Sequence, residues 1–227
     1  FTSNAVLQAG GSYDPLQDFT PITNIASAPF LLVTRVSLPA KTVAELLDYA
    51  RANPGKLNFA SSGVGSTAHL TSELLKRSAG IDMTHIVYRG AGPALADVLG
   101  GQVDLMFASI VSALPHAKSG KLRALAVTSP RRSAVVPEFP TVAEAGVPGF
   151  EMIGYFGLLA PARTAAPIVA TVHAAVLRTI RRHDIVERLA ADGAEPDGCT
   201  PAELHALLER DMKKLSELMQ GAKIPRQ

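Results

Sequence analysis

Between residues 30 and 128, short apolar runs alternate with helical stretches that carry their own start and stop signals, and few folds accommodate that alternation. Runs at 30–36, 57–60, 83–88, 103–107 and 122–128 read as strands. Thr42-x-x-Glu45 forms a capping box, in which each side chain satisfies a backbone N–H at the other's end. It opens a helix over 43–52 that stops at "ANPG". A second helix spans 66–79, with Leu70, Leu74 and Leu75 on one face and Gly80 as its C-cap. A short helix lies within "RGAGPALADVLGG", and another covers 111–118 before the turn "SGK". Short β-α-β connections of this kind predict parallel strands with helices on both faces. Strands buried on both sides read as continuous apolar runs, as "LRALAV" does.

The rhythm then changes. Residues 129–149 are rich in Pro and Gly, with one short helix predicted at Thr141-x-x-Glu144, and 151–160 reads as extended chain. An amphipathic helix covers 167–182, a break falls near His183-Asp184, and a shorter helix runs to Ala191. Thr200-Pro201-x-Glu203 combines an N-cap, a proline at the first helical position and a capping box, and opens a last helix to about residue 219. No internal repeat or low-complexity segment interrupts the chain.

Composition narrows the function classes. A chain of 227 residues that is 47% hydrophobic and 19% charged is globular and long enough for one large or two small domains. Its net charge of +2 is spread out; the one compact basic cluster is Arg131-Arg132, with Arg181-Arg182 further on, and aromatics are sparse. That pattern argues against nucleic-acid binding. The single Cys199 excludes an internal disulfide and a cysteine metal cluster. No run of 18 apolar residues spans a membrane. No leader is seen, and the start at Phe1 is read as processing or truncation.

The chemistry concentrates in "NFASSGVGSTAHLTSEL", where a strand reaches Ser61, Ser62, Gly63, Val64, Gly65, Ser66 and Thr67 at a helix start. A helix start leaves about four N–H groups without partners and carries the positive end of the dipole. Glycines let a ligand approach the backbone, and the hydroxyls add donors, so the segment is suited to an anion. The plainer alternative is a helix cap on a tight turn. Gly63-x-Gly65-x-x-Ala68 also fits a dinucleotide-binding pattern, with Arg89 after the next strand where a 2′-phosphate could be met, which would make an NADP-dependent oxidoreductase domain. Against it, Asp82 precedes that strand instead of ending it, and other elements precede the glycines. No Gly-Lys-Ser/Thr follows, so a P-loop is excluded. Ser66 and His69 share a helical face without an orienting Asp, His85 falls in a strand, and Asp104 marks a strand start; no catalytic or zinc constellation forms.

The segments "SLPAKTVAELLDYARANPGKLNFASSGVGSTAHLTSELLK", "IVYRGAGPALADVLGGQVDLMF", "ALPHAKSGKLRALAVTS" and "PEFPTVAEAGVPGFE" occur in an order that resembles the tripartite tricarboxylate transporter substrate-binding proteins, the Bug or TctC-like family, and "YDPLQDFTPI" resembles that family's mid-domain segment. The resemblance covers nearly the whole chain. It implies an α/β, two-lobed periplasmic-binding-protein (Venus flytrap) fold, with lobe 1 formed by 1–29 and 154–227 and lobe 2 by 30–153. It further implies a non-enzymatic periplasmic protein, with no cofactor, that captures a small organic carboxylate and hands it to a two-component membrane permease. In such proteins a loop from each lobe holds one ligand carboxylate, which here maps onto Ser61 to Thr67, with His69 beside them. The distal pocket maps near Tyr88, Gly90, Ala108 and Tyr155. Many relatives have Asp where Ala108 stands, which argues against an amino-acid ligand. The family's mature chains begin earlier, with a strand, a Pro-Gly-Gly loop and a helix, so the first lobe is expected to be incomplete.

Overall fold

The computed structural model describes residues 1–8 and 13–224, and these fall into two compact units, Phe1–Ala28 with Gly154–Gln227 and Pro29–Ile153. In chain order the elements are α1 (Thr2–Leu7), β1 (Phe19–Arg35), α2 (Val43–Ala52), β2 (Asn58–Ser61), α3 (Thr67–Ala79), β3 (Thr84–Val87), α4 (Ala91–Leu99) and β4 (Leu105–Ser109). There follow α5 (Ile110–Lys118), β5 (Leu122–Val127), β6 (Ile153–Pro161), α6 (Ala166–Ile180), α7 (His183–Ala191), β7 (Glu195–Pro196) and α8 (Pro201–Gly221).

The 29–153 unit is a sheet in the order β3-β2-β4-β1-β5 between two helical layers. Strands β2, β3 and β4 are parallel, as the alternation of strands and helices predicts. The end of β1 departs from that expectation: it runs antiparallel between β4 and β5, with Leu32 opposite Phe107 on one side and Ala126 on the other. Alternation along each strand divides the core. Leu32, Phe59, Leu105 and Phe107 pack beneath α2 (Leu46, Leu47) and Leu75 of α3. Leu31, Val33, Met106 and Val127 point to the opposite face, against Leu95 and Val98 of α4 and Ile110 of α5. With both faces covered, β4 and β5 show near-continuous apolar runs.

Local signals mostly act where the sequence places them, but the box predicted at Thr42 closes on one side only, with Glu45 reaching one residue further back than the N-cap. Thr42 Oγ1 accepts from Glu45 N–H at 3.1 Å and Lys41 N–H donates to the Glu45 carboxylate at 2.6 Å. Gly80 ends α3 in the left-handed region (φ 63°, ψ 40°) and donates its N–H to Lys76 C=O. The helix predicted at Thr141 does not extend beyond a turn. Thr141 and Glu144 exchange two side-chain-to-backbone bonds (3.0 and 3.2 Å), but Gly146, Pro148 and Gly149 prevent propagation.

Asp104 ties three strands together. Its carboxylate accepts from Arg35 Nε (2.7 Å) at the end of β1 and from Asn58 N–H (2.7 Å) at the start of β2, just before β4.

In the other unit, β6 and β7 pair with β1, where Ala26 lies opposite Pro196 and Ser27 opposite Glu195. Helix α1 packs on α8, fastened by Thr2 Oγ1 donating to Asp211 at 2.5 Å. Helix α8 begins with the predicted box: Thr200 Oγ1 accepts from Glu203 N–H at 3.2 Å, and Thr200 N–H donates to the Glu203 carboxylate at 2.7 Å. Strand β1 begins well before residue 30, the start predicted from sequence; residues 19–29 mix Pro, Thr, Asn, Ala and Ser without alternation and so carry no strand pattern.

Candidate functional site

Parallel strands followed by helices place the helix starts at one end of a sheet, and in open α/β sheets ligands bind at that carboxyl end. Here three starts meet. The chain leaves β2 through Ser62 to enter α3 at Thr67, leaves β3 to enter α4 at Ala91, and leaves β4 at Ser109 to enter α5. A cavity of about 190 Å3 lies among them, lined by Ser62, Thr67 and Ala68, by Ala91, and by Ala108, Ser109 and Ser112, over a floor of Phe30, Met106 and Phe107. None of these side chains is ionisable. The polarity comes from hydroxyls and from helix N-termini, each with the partial positive charge of its dipole.

The caps at these starts leave donors to spare. Ser66 Oγ accepts from His69 N–H at 3.4 Å, and Ser109 Oγ from Ser112 N–H at 3.4 Å, both long. No side chain caps α4, where Gly90 is the N-cap at φ 123°. Ser109 Oγ and Ser112 Oγ lie 2.7 Å apart.

The loop between β2 and α3 is shaped by its own contacts. Ser61, fully buried, donates its hydroxyl to Gly63 C=O (3.0 Å) and accepts Gly63 N–H (3.2 Å). Its Oγ also lies 2.6 Å from His85 Nε2. Gly65 takes a left-handed conformation (φ 73°), and its N–H donates to Nδ1 of buried His69 at 3.0 Å. That bond places the His69 proton on Nε2. The rings of Phe59, His85 and His69 form one stack, with centroids 4.7 and 3.9 Å apart. Burial, then the Lys76 ammonium, pushes the His69 pKa down to about 4. His85 is pushed down to about 4 by burial, then by His69 and Lys76, with Glu73 acting in the opposite direction.

The residues singled out from sequence therefore separate. Ser62, Thr67 and Ala108 line the cavity. Ser66 caps α3, Gly63 and Gly65 shape the loop, and Val64 is 40% exposed. Ser61 and His69 lie beneath the loop, occupied by its backbone. Gly90 begins α4. Tyr88 donates to Asp97 Oδ2 at 2.6 Å, and its pKa is pushed up to about 12 by burial and by that carboxylate. Tyr155 belongs to β6 of the other unit. Ser109 and Ser112 were not anticipated; the Ser-x-x-Ser spacing of an N-cap and its third helical residue was the available signal.

The dinucleotide reading is not favoured. Asp82 stands before β3, which runs parallel to β2, and so lies at the sheet end away from the glycine loop. Gly65 N–H, which a pyrophosphate would need, is already donated to His69. Among the described residues no cluster of His, Cys, Asp and Glu could hold a metal ion, and no helix is long and apolar enough to cross a membrane.

Comparison with known proteins gives the same direction. The sequence profile of the TctC family, described as tripartite tricarboxylate transporter family receptor, matches residues 8–224. A UPF0065 protein encoded between tcbD and tcbE in Pseudomonas sp. (strain P51) is 37% identical over 91% of this chain, and the chain spans 62% of that relative's length. Among solved structures, an R. palustris protein with adipate is 35% identical, with a TM-score of 0.84 over 97% of this chain and 74% of that one. MatC from Rhodopseudomonas palustris with bound malate is 35% identical, with a TM-score of 0.78 over 95% and 74%. The periplasmic binding protein BugD is 30% identical, with a TM-score of 0.82 over 100% and 76%. The chain has the α/β fold of these two-lobed binding proteins.

Proposed function

The chain belongs to the tripartite tricarboxylate transporter receptor family, and we propose that it captures a small organic carboxylate in the periplasm for delivery to a two-component membrane permease. The observation that carries this reading is the meeting of three helix N-termini around a cavity without charged side chains. A carboxylate leaving water needs charge-assisted donors to offset its desolvation. Backbone N–H groups at the starts of α3, α4 and α5, with the hydroxyls of Ser62, Thr67, Ser109 and Ser112, supply them. A buried Lys or Arg would add a full counter-charge and slow release; dipoles and hydroxyls bind without one. The role is binding, not catalysis.

A cavity of about 190 Å3 is below the roughly 300–1,000 Å3 of drug-sized sites and has room for one carboxylate end of a ligand. The adipate and malate of related structures are dicarboxylates, each with such an end. Ala108 at the cavity wall offers no carboxylate to an ammonium, which argues against amino acids.

Thermal unfolding with adipate, malate, citrate, aspartate and NADP tests the reading. A dicarboxylate at about 100 times its dissociation constant should add roughly 2.7 kcal/mol. No stabilisation by any carboxylate, or stabilisation by NADP alone, would overturn it.

A further inference from the structure

The two histidines under the anion loop line no part of the cavity, yet they account for much of the loop's shape. His69 Nδ1 takes the N–H of Gly65. His85 Nε2 holds Ser61 Oγ, and Ser61 in turn holds Gly63 at both its N–H and its C=O. Both loop glycines are therefore fixed, directly or through Ser61, by imidazole nitrogens of one ring stack.

We propose that His69 and His85 are positioning residues that hold the anion loop in its binding geometry through neutral rings, so that a proton taken up on His69 Nδ1 releases the Gly65 N–H and unlocks the loop. The chemistry is one-sided. His69 already carries its Nε2 proton, so a second can enter only at Nδ1, where Gly65 now donates. Two donors cannot face each other, and that contact is lost. His85 has no such conflict, because its Nε2–H can donate to Ser61 Oγ in either charge state. A charged His69 would also lie 3.9 Å, ring to ring, from His85. The charged groups around the stack are Glu73 and Lys76 of α3, which pair at 3.0 Å, and Asp82 before β3, 3.9 Å from Lys76. Lys76 also lies 5.9 Å from the Phe59 ring centroid. Burial and Lys76 keep His69 neutral down to a pH of about 4, so the latch stays closed near neutrality and opens in acid.

The coupling of this latch to binding rests on the carboxylate-binding reading; the latch itself is measurable in the free chain. Nitrogen-15 NMR of the uniformly labelled chain, titrated without ligand from about pH 7.5 to about pH 3.5, follows the imidazole nitrogens and the Gly65 amide together. The expected result is an unprotonated His69 Nδ1 at the upper limit and a Gly65 amide that titrates with His69 well below the ordinary histidine value. His69→Ala should speed Gly65 amide exchange about tenfold, the scale of one lost hydrogen bond. His69→Asn, whose Oδ1 can accept in place of Nδ1, should restore protection and remove the pH midpoint. A protonated Nδ1 at the upper limit, or a Gly65 amide indifferent to both pH and His69→Ala, would overturn the proposal, and the wild-type titration decides this even if a variant fails to fold. Adipate calorimetry separates the two readings. Absence of wild-type binding counts against the carboxylate reading and leaves the latch to the NMR result. Wild-type binding weakened about tenfold by His69→Ala and restored by His69→Asn supports the coupling; unchanged affinity in His69→Ala contradicts it.

Discussion

Thr128 is the strongest test of how the 29–153 unit holds the chain segments that enter and leave it. The residue is fully buried just past β5. Its Oγ1 accepts from Phe30 N–H at 2.8 Å and donates to Met152 C=O at 2.6 Å. Its backbone repeats both connections, donating to Phe30 C=O at 3.0 Å and accepting from Met152 N–H at 2.9 Å. Phe30 and Met152 are next to the residues at which the unit begins and ends. Thr128→Val keeps the shape and removes the hydroxyl, leaving one N–H and one C=O without their side-chain partner. Each such loss costs about 1–3 kcal/mol when water cannot replace it. Both backbone groups lie at the edge of the core, so the expected loss is about 3 kcal/mol. Thr128→Ser keeps both hydrogen bonds and loses one methyl group, for about 1 kcal/mol. Urea unfolding followed by far-ultraviolet circular dichroism reads both, as a lower midpoint at unchanged slope. A loss under about 0.5 kcal/mol for Val, or a Ser variant as unstable as Val, would refute the reasoning.

Asp104→Asn should destabilise by about 1–3 kcal/mol in the same assay, since it weakens charge-assisted bonds to Arg35 and Asn58; a neutral result would mean that the three strand ends do not depend on that carboxylate. The folded pKa of about 4 for His69 and His85 lies below the ordinary 6.5, so the unfolded chain binds protons first as pH falls. Their contribution to stability is full above about pH 6.5, is lost progressively toward pH 4 at up to about 1.4 kcal/mol per pH unit for each ring, and levels off below; a flat urea midpoint across that window in wild type would contradict it. Thr67→Val should weaken dicarboxylate binding by about 1–3 kcal/mol in calorimetry with little change in thermal midpoint of the free chain, and unchanged affinity would remove Thr67 from the site.

Much of the 29–153 unit was legible in the sequence, because α2 and α3 carry their own start and stop signals and β4 and β5 are apolar runs. Thr42, Gly80 and Ser66 act where their side-chain chemistry places them. The antiparallel course of β1 was not legible. Strand direction is decided by long-range pairing, and the apolar run at 30–36 reads the same in either sense. The Thr141–Glu144 signal was genuine but marked only one turn, because glycines and a proline follow at once. In the site, the glycine-and-hydroxyl loop was visible as an anion segment. What spacing could not show was the partition of its residues. Ser61 and His69 are neighbours of Ser62 and Thr67 in sequence, but the strand's alternation and the helix's rotation turn them toward Phe59 and His85. Nor could spacing show that Ser109 and Ser112, more than 40 residues from the loop, complete the same cavity. That follows from β4 lying beside β2.

The central claim is that a carboxylate binds where α3, α4 and α5 begin. The most direct test is a titration of the nitrogen-15-labelled chain with adipate, reading every backbone amide. The account predicts the largest shifts at Ser62, Thr67, Ala68, Ala91 and Ser109, with the Gly65 amide held by His69 and moving less. Saturable binding with shifts confined to other residues, or no shift at these amides at millimolar adipate while another acid binds elsewhere, would contradict it.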